Sequence, residues 1–173
     1  WTLGCYGNED VRTPHLDQLA TEGALFTRAY SVNPVCSPTR ASILTGLMPS
    51  QHGIQFPVGN SLMMGPEARN TLEEFTSLPE VLKANGYTCG LSGKWHLGAN
   101  MSPQEGLDDL WVTMPVGSTQ RFYGAEIIEN GVLRTEPQYM TELWTDRAVD
   151  FIKTHASKPT HQKPENSKRQ NTE

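Results

Sequence analysis

The sequence predicts an α/β domain, and three observations lead there. Two helix starts, Thr13-Pro14 and Ser77-Leu78-Pro79-Glu80, open stretches with apolar residues at helical spacing. A short apolar run from Tyr87 to Leu91 then has the length of a buried strand. Two more β segments flank Asn130-Gly131, and a long amphipathic stretch follows them. Helices and strands that alternate in this way pack as α/β layers.

Each element has a local cause. Gly4-Cys5-Tyr6-Gly7-Asn8 is turn-like, and the helix after Thr13-Pro14 has Leu16, Leu19 and Ala20 on one side and Gly23 at its end. Ala24 to Tyr30 alternates as a strand, and Asn33-Pro34 breaks the chain. Pro38 suits the first position of the next helix, which places Cys36 at its mouth. Met48 to Asn70 has no sustained period and reads as a long loop over a site. Ser77 and Glu80 form a capping box for a helix that runs to Gly86. The strand at Tyr87–Leu91 delivers Gly93-Lys94-Trp95-His96-Leu97-Gly98 at its carboxyl end, where open α/β sheets bind ligands. Met140, Leu143, Ala148, Phe151 and Ile152 mark one face of a helix from about Thr141 to His155. Thr160 to Glu173 has no apolar side chain and is expected to be a polar disordered tail, leaving 1–159 as the folded domain.

Composition narrows the function. The 173 residues suffice for one domain with a real core, and 36 % hydrophobic with 19 % charged content is that of a globular protein. A net charge of −5 argues against a nucleic-acid surface, and no run approaches the ~20 apolar residues of a membrane span. Cys5, Cys36 and Cys89 are an odd count without a CxxC pair, which disfavours a disulfide framework or a zinc site, although a Cys5–Cys89 bridge is conceivable.

The chemistry concentrates in two clusters. Cys36 lies where free helix N–H groups favour anions, and Arg40, one turn on, adds a permanent positive fork. Taken alone, Cys36 reads as a buried structural thiol, as a thiolate nucleophile lacking a nearby base, or as a residue modified within its local peptide. Lys94 and His96, two apart on an extended segment, face one side and offer a fixed charge and a proton donor for a leaving alcohol. His52 reads as structural or as part of a substrate rim.

Cys36-Ser37-Pro38-Thr39-Arg40 with Leu44-Thr45-Gly46 resembles the signature of the type I, formylglycine-dependent sulfatases, arylsulfatases included. Gly86 to His96 resembles their second signature, departing at Cys89 where serine or threonine is usual. The likeness runs from Trp1 to about Pro159 and implies an alkaline-phosphatase-like sandwich with a mostly parallel sheet, incomplete in this chain. By that resemblance Cys36 is oxidised to formylglycine by a formylglycine-generating or anaerobic maturating enzyme and contributes to a calcium site. The remaining calcium ligands, an upstream Asp-Asp pair and a later Asp-Asn pair, would lie outside these residues. Arg40 would then hold the hydrated aldehyde, and Lys94 and His96 would contact sulfate and leaving oxygen. The substrate implied is a sulfated small molecule or carbohydrate, and the compartment periplasmic or extracellular. Two alternatives stand beside this: a truncated, non-catalytic remnant, and a phosphonate or phosphate monoester hydrolase of the same superfamily.

Overall fold

Val35, in extended conformation, leads straight into a helix whose first residue is Cys36. The structure is a computed structural model and describes residues 2–119 and 121–156. It divides into two units, Trp1–Ser31 and Val32–Glu173. The polar segment expected after Lys158 lies outside the described residues.

In the first unit a single 3-10 turn, Gly4–Tyr6, precedes helix α1, Pro14–Glu22. Thr13 holds the cap position, but its hydroxyl donates to Asp17 (2.9 Å) and accepts from the Gly4 amide (2.9 Å) instead of capping the helix. The strand expected over Ala24–Tyr30 does not form: the segment is irregular, with Phe26 and Tyr30 exposed. Alternation makes a strand only beside a partner that accepts its hydrogen bonds, and no described strand pairs with this one.

The second unit begins with α2, Cys36–Thr45, closed by Gly46 at φ 71°, where a left-handed cap favours glycine. Pro38 is the third helical residue and not the first. The first four N–H groups of a helix lack acceptors within it, so proline is tolerated there as well. The expected loop over 48–70 is partly folded: α3, Pro49–His52, and a 3-10 turn, Asn60–Leu62, lie within it, and Val58 and Met63 are buried. The capping box of α4, Leu78–Ala84, forms as read: the Glu80 amide donates to Ser77 Oγ (3.4 Å) and the Ser77 amide to Glu80 Oε2 (2.8 Å).

Four strands follow: β1 Gly90–Ser92, β2 Leu110–Thr113, β3 Ala125–Glu129 and β4 Val132–Glu136, in the order β1-β2-β3-β4. β1 is later and shorter than the run that predicted it, and β2 was not anticipated. The pair β1–β2 is parallel, as expected of such a fold, and the Asn130-Gly131 hairpin adds antiparallel pairings that make the sheet mixed. Alternation along the strands serves two cores. Trp111 and Ile128 face one, where Trp111 meets Trp95 edge-on at 5.4 Å and 65°. Val112 and Ile127 face the other, covered by Met140 and Leu143 of α5, Met140–Ala156. Both indole N–H groups are satisfied, Trp95 donating to the Gly98 carbonyl and Trp111 to that of Asn100, each at 2.7 Å. No helix among the described residues is long and apolar enough to cross a membrane.

Candidate functional site

The first turn of α2 and the loop after β1 meet through side chains that the sequence motifs specify. Ser37, fully buried, donates from Oγ to the His96 carbonyl (2.9 Å) and accepts the Val58 amide (2.9 Å). His96 Nε2 lies 3.1 Å from the Val58 carbonyl. A carbonyl only accepts, so Nε2 carries the proton and the neutral ring keeps a bare Nδ1. These three bonds close a ring joining the helix start, the loop at Val58 and the loop at His96.

Arg40 completes the junction. Its Nη1 donates to the Lys94 carbonyl (2.6 Å), while its Nε is buried without a partner. His96 Nδ1 is likewise buried and unpaired. Buried polar atoms are nearly always hydrogen-bonded, so the two unpartnered atoms set this junction apart from its surroundings. Burial pushes the Arg40 guanidinium down from its ordinary value and the adjacent Cys36 side chain pulls it back up. Burial, then the Lys94 and Arg40 charges, hold His96 below the usual imidazole value, and its bond to Val58 opposes them. The couplings Cys36–Arg40, Arg40–His96 and Lys94–His96 bring the four residues of the sequence reading into one electrostatic neighbourhood.

Lys94 and His96 converge for a reason other than strand alternation. β1 ends at Ser92, and His96 sits at φ 63°, a left-handed value that histidine adopts more readily than most residues. Trp95 between them turns into the core, its amide bonded to Thr113 Oγ1 (3.2 Å). Gly117 gives the ring its room: a Cβ there would lie 2.2 Å from His96 Nε2. His52 is buried between Ser42 Oγ (Nε2, 3.0 Å) and the Ile54 amide (Nδ1, 3.2 Å), which favours its structural role over a rim role. Cys5, Cys36 and Cys89 are free thiols.

Calcium takes six to eight oxygen ligands. Among the described residues no group of three or more His, Cys, Asp or Glu side chains could hold an ion, so these residues do not fit a calcium site on their own.

The Sulfatase family profile matches residues 1–162, and the chain belongs to the sulfatase family. Its relatives include N-acetylgalactosamine-6-sulfatase of Homo sapiens, 34 % identical over 89 % of this chain and 34 % of that protein. Steryl-sulfatase of Rattus norvegicus is 44 % identical over 56 % of this chain and 17 % of its own length. The crystal structure of Ps i-CgsB in complex with k-i-k-neocarrahexaose matches with a TM-score of 0.79 at 25 % identity, over 91 % of this chain and 39 % of that one. The chain therefore spans about a third of the length of the N-acetylgalactosamine-6-sulfatases it matches. The alkaline-phosphatase-like α/β fold is that of its structural neighbours.

Ser37, Val58 and Gly117 escaped the sequence reading as site-builders. Ser37 carries the one available signal, a hydroxyl inside the first motif; Val58 acts through its backbone and Gly117 through a missing side chain, which no residue pattern reveals.

Proposed function

We propose that this chain carries the nucleophile-bearing part of a sulfuric ester hydrolase that cleaves a sulfate monoester and releases inorganic sulfate. The observation that carries this reading is the pair of unpartnered buried atoms, Arg40 Nε and His96 Nδ1, beside Cys36. With Cys36 as formylglycine, one hydroxyl of the hydrated aldehyde attacks sulfur and expels the alcohol, which leaves with a proton. The second hydroxyl then loses its proton and drives collapse to the aldehyde, breaking the C–O bond to sulfate and releasing inorganic sulfate.

The chain's own residues supply the electrostatics. Arg40 is held by the Lys94 carbonyl and keeps Nε for an oxyanion; a guanidinium stays charged despite burial. Lys94 adds a second positive charge for sulfate oxygens. With Nε2–H committed to Val58, His96 Nδ1 is an acceptor suited to take a hydroxyl proton from the hydrate, and the imidazolium so formed is the donor for the leaving alcohol.

By family resemblance a calcium ion belongs to the complete protein, with Cys36 as the one contributor from these residues. A sulfated carbohydrate is the substrate class, supported by relatives named for N-acetylgalactosamine-6-sulfate and by a neighbour solved with D-glucosamine-2-N,6-O-disulfate. A formylglycine-generating or anaerobic maturating enzyme is the partner, and an extracytoplasmic location follows from the same resemblance.

The test uses a chain extended to the full length of its relatives, because residues 1–173 alone are expected to be inactive: mass spectrometry of the peptide containing Cys36 after co-expression with such an enzyme, with sulfate release from a chromogenic aryl sulfate. The expected result is conversion of the thiol to an aldehyde and turnover that Cys36→Ala abolishes. Quantitative conversion without sulfate release would overturn the reading. Faster cleavage of phosphonate or phosphate monoesters would move the enzyme to that neighbouring class.

A further inference from the structure

Among the described residues His52 and His96 are the buried histidines, and only His96 has a part in the chemistry above. His52 is 5 % exposed, and both its ring nitrogens are engaged. The Ile54 amide donates to Nδ1 (3.2 Å), so Nδ1 is bare and Nε2 carries the proton. Nε2 then donates to Ser42 Oγ (3.0 Å) and bonds the Pro38 carbonyl. Burial holds the ring below the ordinary imidazole value, against the bonds to its own backbone and to Pro38, which keeps it neutral at neutral pH.

Both attachments lead to the candidate site. Pro38 is fully buried in the first turn of α2, the turn that begins at Cys36, and Ser42 lies one turn further on. Ile54 opens the segment that ends at Val58, whose amide donates to Ser37 Oγ (2.9 Å) and whose carbonyl accepts from His96 Nε2 (3.1 Å). Gly53, at φ 76°, turns the chain back so that the Ile54 amide meets the ring. The helix that carries His52, Pro49–His52, is a single turn, and so short a helix needs tertiary anchors to persist.

We propose that His52 is a positioning residue for the sulfate-ester chemistry: it clamps Pro38 and Ser42 of α2 to Ile54, keeps Val58 in place beside Ser37, and so holds His96 with Nε2 protonated and Nδ1 free. The proposal rests on the sulfatase reading and deepens it, adding a support that acts through Val58 and touches no substrate.

Two variants of the full-length chain test it. His52→Phe keeps a planar ring and loses both attachments; His52→Gln keeps a donor towards Ser42 and loses the Ile54 bond. Histidine nitrogen NMR reads the His96 tautomer, and turnover of a chromogenic aryl sulfate reads its consequence. The parent should show the widely separated nitrogen resonances of a single neutral tautomer at His96. They should draw together in His52→Gln and further in His52→Phe, as the two tautomers begin to exchange. In His52→Phe kcat should fall about tenfold with KM within about twofold of the parent. Where His52→Phe does not fold, His52→Gln decides. Parent-like His96 resonances in the folded variants, alongside a lower stability, overturn the clamp and leave His52 to packing. Resonances that shift as expected in a parent without turnover count against the sulfatase reading alone.

Discussion

Ser37 donates a 2.9 Å hydrogen bond to the carbonyl of His96, fifty-nine residues further along the chain. That bond holds His96 in its left-handed conformation and ties it to the first turn of α2. The serine inside the motif therefore acts as a positioning residue and not as a helix-start residue alone.

Ser37→Ala removes the acceptor of a buried amide and the donor to a buried carbonyl. Two neutral bonds at about 1 kcal/mol each, with a desolvation penalty, predict a loss of roughly 2–3 kcal/mol. Urea unfolding should show a lower midpoint at unchanged slope. A variant as stable as the parent would mean that water replaces the hydroxyl.

Gly117→Ala addresses the ring itself. The added methyl would stand 2.2 Å from His96 Nε2 and 2.5 Å from Cε1, so ring or backbone must move. Overpacking of this kind costs about 1–3 kcal/mol. The specific expectation is loss of the Nε2–Val58 bond, read as a shifted imidazole nitrogen resonance. An unchanged resonance alongside a lower stability would assign Gly117 to general packing.

Cys36, Arg40, Lys94 and His96 were legible because their chemistry is local to two short motifs. The capping box at Ser77 and the turn at Asn130-Gly131 were legible for a like reason, since each satisfies its hydrogen bonds within a few residues. Ala24–Tyr30 was misread because a strand depends on a neighbour that its own residues do not encode. Leu110–Thr113 was overlooked because four residues show too little alternation to separate a strand from a loop. The order within the Met48–Asn70 segment comes from contacts distant in sequence, such as the Asn100 amide on the Met63 carbonyl (2.8 Å).

Burial first, and the Lys94 charge second, disfavour protonation of His96. Burial and the Lys94 charge hold His96 below 6.5, so between the folded value and 6.5 the unfolded chain binds more protons. Stability from this group is full above 6.5 and declines as pH falls through that window. Lys94→Met should raise the His96 value and flatten this decline. His52, also lowered chiefly by burial and bonded elsewhere, serves as an internal control in the same NMR titration. If both histidines move together, the coupling to Lys94 is not the cause.

Glu105 makes the opposite sign available. It is buried at φ 53°, Oε1 accepts from Asn70 Nδ2 (2.5 Å), and Oε2 is buried without a partner. Burial, with the nearby Glu80 charge, pushes its carboxyl above the ordinary value. Stability from a raised carboxyl is full below 4.5 and is lost as pH rises through the folded value, so at neutral pH the ionised form is a penalty. Glu105→Gln keeps the acceptor for Asn70 and replaces the unpartnered oxygen with an amide that can donate to Glu80. The variant should be more stable by about 1 kcal/mol near neutral pH, a difference that shrinks in acid. Urea midpoints at the two pH values measure it. A Gln variant weaker than the parent at neutral pH would show that the carboxylate is paired in solution.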